Sequence, residues 1–396
     1  MTIPMKSDSY LSRGVSATKE DVRKAVSGQS RGDFPGSFCK IIPDPAGDPD
    51  WCAAMHADGA GTKSSAAWLM YRETGNPEWF SGIAQDSLVM NTDDLLCIGA
   101  VDNFFVSNTI GRNAHRLDAA CLAALIAGYD TIVERLQRAG IHITLTGGET
   151  ADVGDLVRTV ICDSTVFVRL QRRKVIDASR IKPGLAIIGL SSTGRMQDEK
   201  QENSGIGSNG LTAARHLLLH RDYRLRYPES FSDTLTPDQA YSGSWMLTDH
   251  LPGTSLSIGE AILSPTRSYL PVVRDILDLP DTTIHGLIHC TGGGLAKCRD
   301  FGHGIHYVKD SLFEIPPLFA AIEASGQISR EEMYQVFNMG HRLEIYCDEH
   351  DVDAVLGISS AYGLAAKVIG HTEKSADPDH NSVEIRDGQN TYKYDA

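Results

Sequence analysis

Residues 118–169 read DAACLAALIAGYDTIVERLQRAGIHITLTGGETADVGDLVRTVICDSTVFVR, and the fold class turns on how this stretch is parsed. Asp118 is placed to cap a helix. Behind it Leu122, Leu125, Ile126, Tyr129, Ile132, Val133 and Leu136 recur at helical spacing, and Gly140 closes the element. Ile141-His-Ile-Thr-Leu145 then alternates as a strand does and runs directly into Thr146-Gly-Gly-Glu-Thr150. Two further strands are expected at Leu156–Cys162 and Ser164–Arg169. Strands that follow one another without intervening helices argue against a repeating βαβ unit and predict a mixed α+β fold.

Working outward, the first 55 residues are rich in Ser, Gly, Asp and Pro. They read as a helix opening at Ser16, a loop from Ser27 to Gly47, and a short strand over Phe38–Ile42. A loop-rich segment of this length suits a functional flap or a disordered tail. On the other side, Lys174 to Pro183 is polar and precedes a fresh apolar strand, Leu185–Leu190. This divides the chain into an N-terminal segment (1–55), a first domain (56–174) and a second domain (175–396). In the second, Leu211–Leu219 reads as a helix, Arg221–Trp245 as an irregular surface excursion, Ile284–Ile288 as a strand, and the charged tail after Glu373 as frayed.

A length of 396 residues exceeds one ordinary core and suits two domains. Apolar content of 41% and charged content of 22% are those of a folded globular protein. The net charge of −14 and pI near 5.4 argue against a nucleic-acid binder. An acidic chain that binds anionic nucleotides needs a bridging cation or local donors. The eight cysteines form no C-x-x-C pair and read as buried reduced thiols. No stretch approaches the roughly 18 apolar residues of a membrane span, and Met1–Asp8 lacks a signal-peptide core. A cytoplasmic protein without a membrane partner is expected.

Three segments of the first domain carry chemistry. Asp58-Gly-Ala-Gly-Thr-Lys63 lets backbone approach a phosphate closely and adds a point charge, although a plain turn reads the same way; with Thr62 before Lys63 it is not a P-loop. Asp86, Met90 and Asp93 or Asp94 share one helix face, with Asn91 beside them. Stacked acids suit Mg²⁺ on nucleotide phosphates, or a solvated face. Glu149 stands at the end of the Ile141–Leu145 strand, in the Thr-Gly-Gly-Glu turn, with Asp152 close behind. In the second domain, Ser204-Gly-Ile-Gly-Ser-Asn-Gly210 precedes a helix and would aim N–H groups at an anion. His289-Cys-Thr-Gly-Gly-Gly294, Leu263-Ser-Pro-Thr-Arg267 and Tyr334–Arg342 mix polar donors with apolar residues, and each alone also reads as structural.

Taken in order, Asp58-Gly-x-Gly-Thr-Lys, Asn91-x-Asp-Asp94-Leu, Thr146-Gly-Gly-Glu149-Thr-Ala, Ser208-Asn-Gly, Ser264-Pro-Thr266-Arg, Thr291-Gly-Gly-Gly and Glu332-Met-Tyr-x-Val-Phe-Asn-Met-Gly340 resemble the aminoimidazole ribonucleotide synthetase (phosphoribosylformylglycinamidine cyclo-ligase) family. The likeness runs from about residue 10 to 370. It implies a two-domain α+β fold, a homodimer pairing through its N-terminal sheets, and ATP, Mg²⁺ and formylglycinamidine ribonucleotide as ligands. It implies Asp58, Asp94 and Glu149 on Mg²⁺, with Asp86 and Asp152 beside them. Gly59, Gly61, Thr62, Lys63, Asn91 and Gly148 would join these around ATP, with Lys63 on phosphate. Ser208, Asn209, Thr266, Arg267, Thr291, Gly292, Gly293 and Gly294 would line the ribonucleotide side. Lys19 or Lys24 would cover ATP from the N-terminal segment.

The chain also departs from the family pattern. The usual histidine before Ser-Asn-Gly is Gly207, about a dozen residues from Arg195 to Ile206 are inserted ahead of it, and His341-Arg342 follow Gly340. His341, or Lys200 of the insertion, is expected to supply the missing imidazole's function, so that Asp94, Lys63 and His341 form the expected catalytic set. Sister enzymes remain the alternatives: selenophosphate synthetase, thiamine monophosphate kinase, or a non-catalytic nucleotide binder.

Overall fold

The computed structural model describes residues 9–16 and 20–395. Its helices are α1 (Glu20–Val26), α2 (Lys63–Thr74), α3 (Ser81–Leu96), α4 (Ala119–Arg138), α5 (Leu211–Leu218), α6 (Asp222–Arg226), α7 (Ile258–Leu263), α8 (Leu270–Leu277), α9 (Pro317–Glu323), α10 (Arg330–Val336) and α11 (Val352–Ala361). The start expected at Ser16 runs into residues 17–19, which lie outside the described residues, as does Lys19. No helix among the described residues is long and apolar enough to cross a membrane.

The first sheet orders its strands β1-β2-β5-β3-β4: β1 (Ile41–Pro43), β2 (Trp51–Gly59), β3 (Phe104–Arg112), β4 (Ile143–Asp152) and β5 (Val160–Gln171). β3 and β4 run parallel and the other pairs antiparallel. Two sequence readings are corrected here. The pair expected at Leu156–Cys162 and Ser164–Arg169 is one continuous strand, because Asp163 sits mid-strand without breaking the ladder. The Thr-Gly-Gly-Glu segment is strand, not a strand-end turn: Gly148, Glu149 and Asp152 pair with Asn108, Thr109 and Arg112. Asp118 does cap α4, accepting from the Cys121 amide.

α3 and α4 cover one face of this sheet. Along β5 the side chains alternate between buried Cys162, Val166 and Val168 and outward Ile161, Thr165 and Arg169. The opposite face is open. Met55 (62% exposed), Phe105 (46%) and Ile161 (41%) stand there on three neighbouring strands.

The second sheet has seven strands in the order β12-β11-β8-β10-β6-β9-β7. They are β6 (Ala186–Ser191), β7 (Ile284–His289), β8 (Ile305–Lys309), β9 (His341–Cys347), β10 (Ala366–Lys374), β11 (Ser382–Asp387) and β12 (Asn390–Asp395). The tail expected to fray instead supplies the outermost hairpin, β11–β12, with Val383, Ile385 and Tyr394 buried. An alternating Val-Glu-Ile / Tyr-Lys-Tyr pattern lies beneath its charges and pins it.

β7, β8 and β9 enclose a buried ionic cluster. The Lys309 ammonium bonds the Glu344 carboxylate and the Leu295 carbonyl, and Tyr346 Oη donates to Glu344 at 2.6 Å. Burial alone would push Glu344 up; Lys309 and the His341 hydrogen bond outweigh it and hold the carboxyl at about 2. Against an unfolded value of about 4.3, this charge stabilises the fold above pH 4.3 and stops doing so as pH falls towards 2. Lys309→Met strands the carboxylate and is expected to cost about 3–5 kcal/mol at pH 7. Denaturant melts across pH 7 to 3 should show the loss shrinking towards the acid end; a loss that is constant with pH would assign it to packing.

Candidate active site

Four of the singled-out segments meet at the seam between the two sheets. α2 opens at Lys63, whose side chain is fully buried. Its Nζ donates to Asp86 Oδ1 (2.8 Å) and to the carbonyls of Gly207 (3.1 Å) and Ser264 (2.6 Å). Asp86 Oδ1 also accepts from the Thr266 amide (2.7 Å) and hydroxyl (2.5 Å), so Ser208 Oγ must donate its own proton to Thr266 Oγ1 (2.9 Å). The expectation that Lys63 contacts phosphate is therefore corrected. All three of its protons are spent inside the protein, tying α2 and α3 to the Ser-Asn-Gly and Ser-Pro-Thr-Arg segments. Burial lowers its pKa and Asp86 works against that shift.

Two turns further along α3, Asp93 and Asp94 enter a second network. Neither faces bulk water: Asp93 is 0% exposed and Asp94 8%. Asp94 Oδ1 lies 2.6 Å from His289 Nδ1, and Asp94 Oδ2 lies 3.3 Å from His56 Nε2. Arg342 Nη1 donates to His289 Nε2 at 2.6 Å, which makes that nitrogen the acceptor and Nδ1 the proton donor to Asp94. Arg342 Nη2 reaches Asp93 Oδ2 at 3.0 Å, and the guanidinium lies over the Tyr269 ring. Burial pushes Asp93 up despite Arg342. For Asp94 burial works the same way, but the His289 bond outweighs it and holds the carboxyl below its usual range. Asn91 donates its amide to the carbonyls of Asp58, Ser87 and Ser164, leaving Oδ1 to orient His56 at 2.9 Å.

The strand register separates the three expected metal ligands. Directly paired residues share a face. Gly59, Asp163, Thr109 and Glu149 are paired in one row and stand on the open face. His56 and Asp58 alternate onto the face that α3 covers. Asp58 and Asp94 are thus on one side of the sheet, and Glu149, exposed on the edge strand, is on the other. Asp163 fills the space a side chain at Gly59 would need, its oxygen 1.8 Å from a Cβ placed there. Burial and the Asp58 charge push Asp163 up. Asp152 pairs with Arg112 at 2.7 Å on the surface.

The ribonucleotide-side candidates divide likewise. Ser208, Asn209, Gly292 and Gly293 are half-buried. Asn209 Oδ1 is buried without a partner, which leaves an acceptor for a ligand N–H. Thr291 is 8% exposed and Thr266 only 1%. Arg267 is consumed: it donates to both oxygens of Glu199 in the inserted segment and to the carbonyls of Ser191, Thr193 and Gly194. Gly294 packs against backbone, where a Cβ would stand 2.4 Å from the Tyr334 carbonyl.

The histidine substitution reads differently in three dimensions. A Cβ at Gly207 (φ +63°) would meet Arg342 Cδ at 3.2 Å, so Arg342 fills the room beside that position. His341, expected as the replacement, is 0% exposed against Phe313 and bonded to Glu344, in the ionic cluster of the second sheet. Lys200 and Lys24 are exposed. Sequence reasoning missed His56, Asp163 and Glu199. Asp163 alone left a signal, an acid interrupting an apolar strand.

These contacts assign Lys63 a test of its own. Lys63→Met is expected to cost about 3–5 kcal/mol in denaturant unfolding, since it strands Asp86. A phosphate-binding lysine would leave stability near wild type and raise KM for the nucleotide alone.

Comparisons with known proteins agree with this architecture. A family model described as "AIR synthase related protein, N-terminal domain" matches residues 39–167, and one described as "AIR synthase related protein, C-terminal domain" matches 182–381. The phosphoribosylformylglycinamidine cyclo-ligase of Methanocaldococcus jannaschii is 28% identical over 339 residues, 84% of this chain and 82% of its own. That of Methanococcus maripaludis strain C7 is 27% identical over 383 residues, 93% of each chain. A chain in the HypE–HypF complex superposes with TM-score 0.54 at 13% identity, over 94% of this chain and 98% of its own. Phosphoribosylformylglycinamidine synthase II of Thermotoga maritima gives TM-score 0.54 at 10% identity over 96% of this chain; this chain spans 48% of its length. At those identities the two structures show the fold alone. With its two domain models matched in order across both sheets, this chain belongs to the AIR synthase related protein family.

Proposed function

We propose that this protein is a phosphoribosylformylglycinamidine cyclo-ligase of purine biosynthesis. It uses ATP to close formylglycinamidine ribonucleotide into aminoimidazole ribonucleotide, releasing ADP and phosphate, and works in the cytoplasm as a homodimer. The observation that carries the reading is the seam itself. The Asp58–Lys63 loop, the acid face of α3, Ser208-Asn209-Gly210 and Ser264–Arg267 are bonded to one another there, in a chain whose relatives over 93% of its length carry that name.

In this reaction the formyl amide oxygen takes the γ-phosphoryl group of ATP. The amidine-side nitrogen then attacks the activated carbon, and phosphate leaves with that oxygen. The protein's work is to position the two substrates and balance charge. Asp58, beside Asp94 on the face that α3 covers, is the carboxylate that fits Mg²⁺; Asp163, whose carboxyl burial and the Asp58 charge push up, stands on the opposite face with Glu149. Asp94 and Glu149 join Asp58 by family resemblance. A bound Mg²⁺ would neutralise phosphate charge. Because Glu149 stands on the open sheet face, it serves a site completed where a second copy covers that face. His56, whose side chain is 24% exposed and oriented by Asn91, is better placed than His341 to face a ligand.

Met55, Phe105 and Ile161 support the dimer, since an exposed apolar sheet face of this kind marks an interaction surface. Phe105→Glu is expected to convert a dimer into monomers in sedimentation equilibrium; a dimer that survives would place the contact elsewhere.

Phosphate release from ATP and Mg²⁺ should depend on formylglycinamidine ribonucleotide, with one phosphate per imidazole formed. Asp58→Asn should lower kcat/KM for ATP by at least about tenfold while the melting transition stays near wild type. Release indifferent to the ribonucleotide would instead favour a sister enzyme or a silent nucleotide binder.

A further inference from the structure

One cavity outside the network above has an unusual lining for so acidic a protein. It holds about 290 Å³ between the two domains and is walled by Arg13, Arg158 and Arg215, and among the described residues its lining has no carboxylate. The chain as a whole carries −14. Such segregation of cations around a recess concentrates positive potential where a small anion fits.

The arginines are in different states. Arg13 is saturated by Ser9, Gln239 and Gln327 and contributes field rather than donors. Arg158 is 41% exposed and leans on Asp233 at 2.8 Å. Arg215 is 2% exposed and bonds through Nη1 to the Ser230 carbonyl and Tyr241 Oη. Among the described residues its buried Nε has no partner. A guanidinium N–H held dry and unbonded is costly, and a guanidinium edge matches phosphate with two parallel bonds.

The cavity also lies at the start of two helices, α2 and α5, whose first turns supply Ser65 and Thr212 to its lining. Thr62 and Gly210 stand at their N-cap positions, and neither helix has a side-chain cap. Thr62 Oγ1 and Thr212 Oγ1 bridge the two at 2.9 Å. Helix N-termini favour an anion.

We propose that this cavity seats the phosphate monoester of the ribonucleotide, and that ATP's phosphates bind elsewhere. The triphosphate travels with a divalent cation and calls for carboxylates, which Asp58 and Asp94 supply. A free phosphate dianion calls for guanidinium and N–H donors without carboxylates, which is this lining. Position agrees: Thr62 precedes Lys63, and Thr212 follows Ser208-Asn209-Gly210, so the seat adjoins the seam. This assignment rests on the cyclo-ligase reading for the identity of the substrate but not for the existence of the anion seat.

Calorimetry on the full chain separates the two. Ribose 5-phosphate should bind the wild type at millimolar concentration and ribose should not. Arg158→Glu and Arg215→Gln should each weaken ribose 5-phosphate by at least about tenfold and leave Mg²⁺–ADP within about twofold. In turnover, KM for the ribonucleotide should rise by a similar factor with kcat nearly unchanged. If Arg215→Gln fails to fold, Arg158→Glu carries the test. Absence of ribose 5-phosphate binding to the wild type, unchanged binding in Arg158→Glu, or loss of Mg²⁺–ADP in place of ribose 5-phosphate overturns the proposal. Retained ribose 5-phosphate binding in a protein without ribonucleotide-dependent turnover would sink the cyclo-ligase reading and leave the seat standing.

Discussion

The ammonium of Lys63 is the constraint on which the two-domain arrangement depends. It is dry, and each of its protons has one acceptor: Asp86 on α3, the Gly207 carbonyl before α5, and the Ser264 carbonyl after α7. A buried charge of this kind tolerates few geometries, because any displacement leaves it unsolvated and unpaired. The first domain's loop and the second domain's substrate-side segments are therefore held in one register. Thr266 and Ser208 extend the same chain of donors, so the hydroxyls nearest a ligand inherit their orientation from Asp86.

A second layer stands behind it. Asp94, His289, Arg342 and Asp93 form a dry hydrogen-bonded path from α3 to β9. Its effect on chemistry is indirect. It fixes the His289 tautomer and leaves Asp94 ionised at the edge of the seam, where His56 is the more exposed neighbour. Arg342 also explains why the chain does without a histidine at position 207: the volume beside Gly207 is occupied by the Arg342 side chain. The inserted segment serves the same rigidity through Glu199, which takes Arg267 out of reach of any ligand. The cation-lined cavity at the starts of α2 and α5 is the contrasting case, where an arginine keeps an unspent donor.

Much of the fold was legible in local pattern. The α4 span with its Asp118 cap, the strands near 185–190 and 284–289, and the helix after Gly210 follow from apolar periodicity and capping chemistry, which act within a few residues. The errors also have a common cause. Asp163 looked like a strand break and the tail after Glu373 looked frayed, because single charges outweigh alternation when only one strand is in view. Pairing partners far along the chain supply what the local pattern lacked.

The sequence by itself determined the α+β class, the family, and which segments carry polar chemistry, since these depend on residue type and order. Tertiary structure decided what each polar residue does. Lys63 and Arg267 looked like ligand-binding cations and are internal struts; Glu149 looked like a partner of Asp58 and stands across the sheet from it; His341 looked catalytic and is sealed beside Lys309. The physical reason is that a charged side chain's role is set by burial and by partners from distant elements. Lys63 meets Ser264 across 201 positions of chain, a relation that no local pattern encodes.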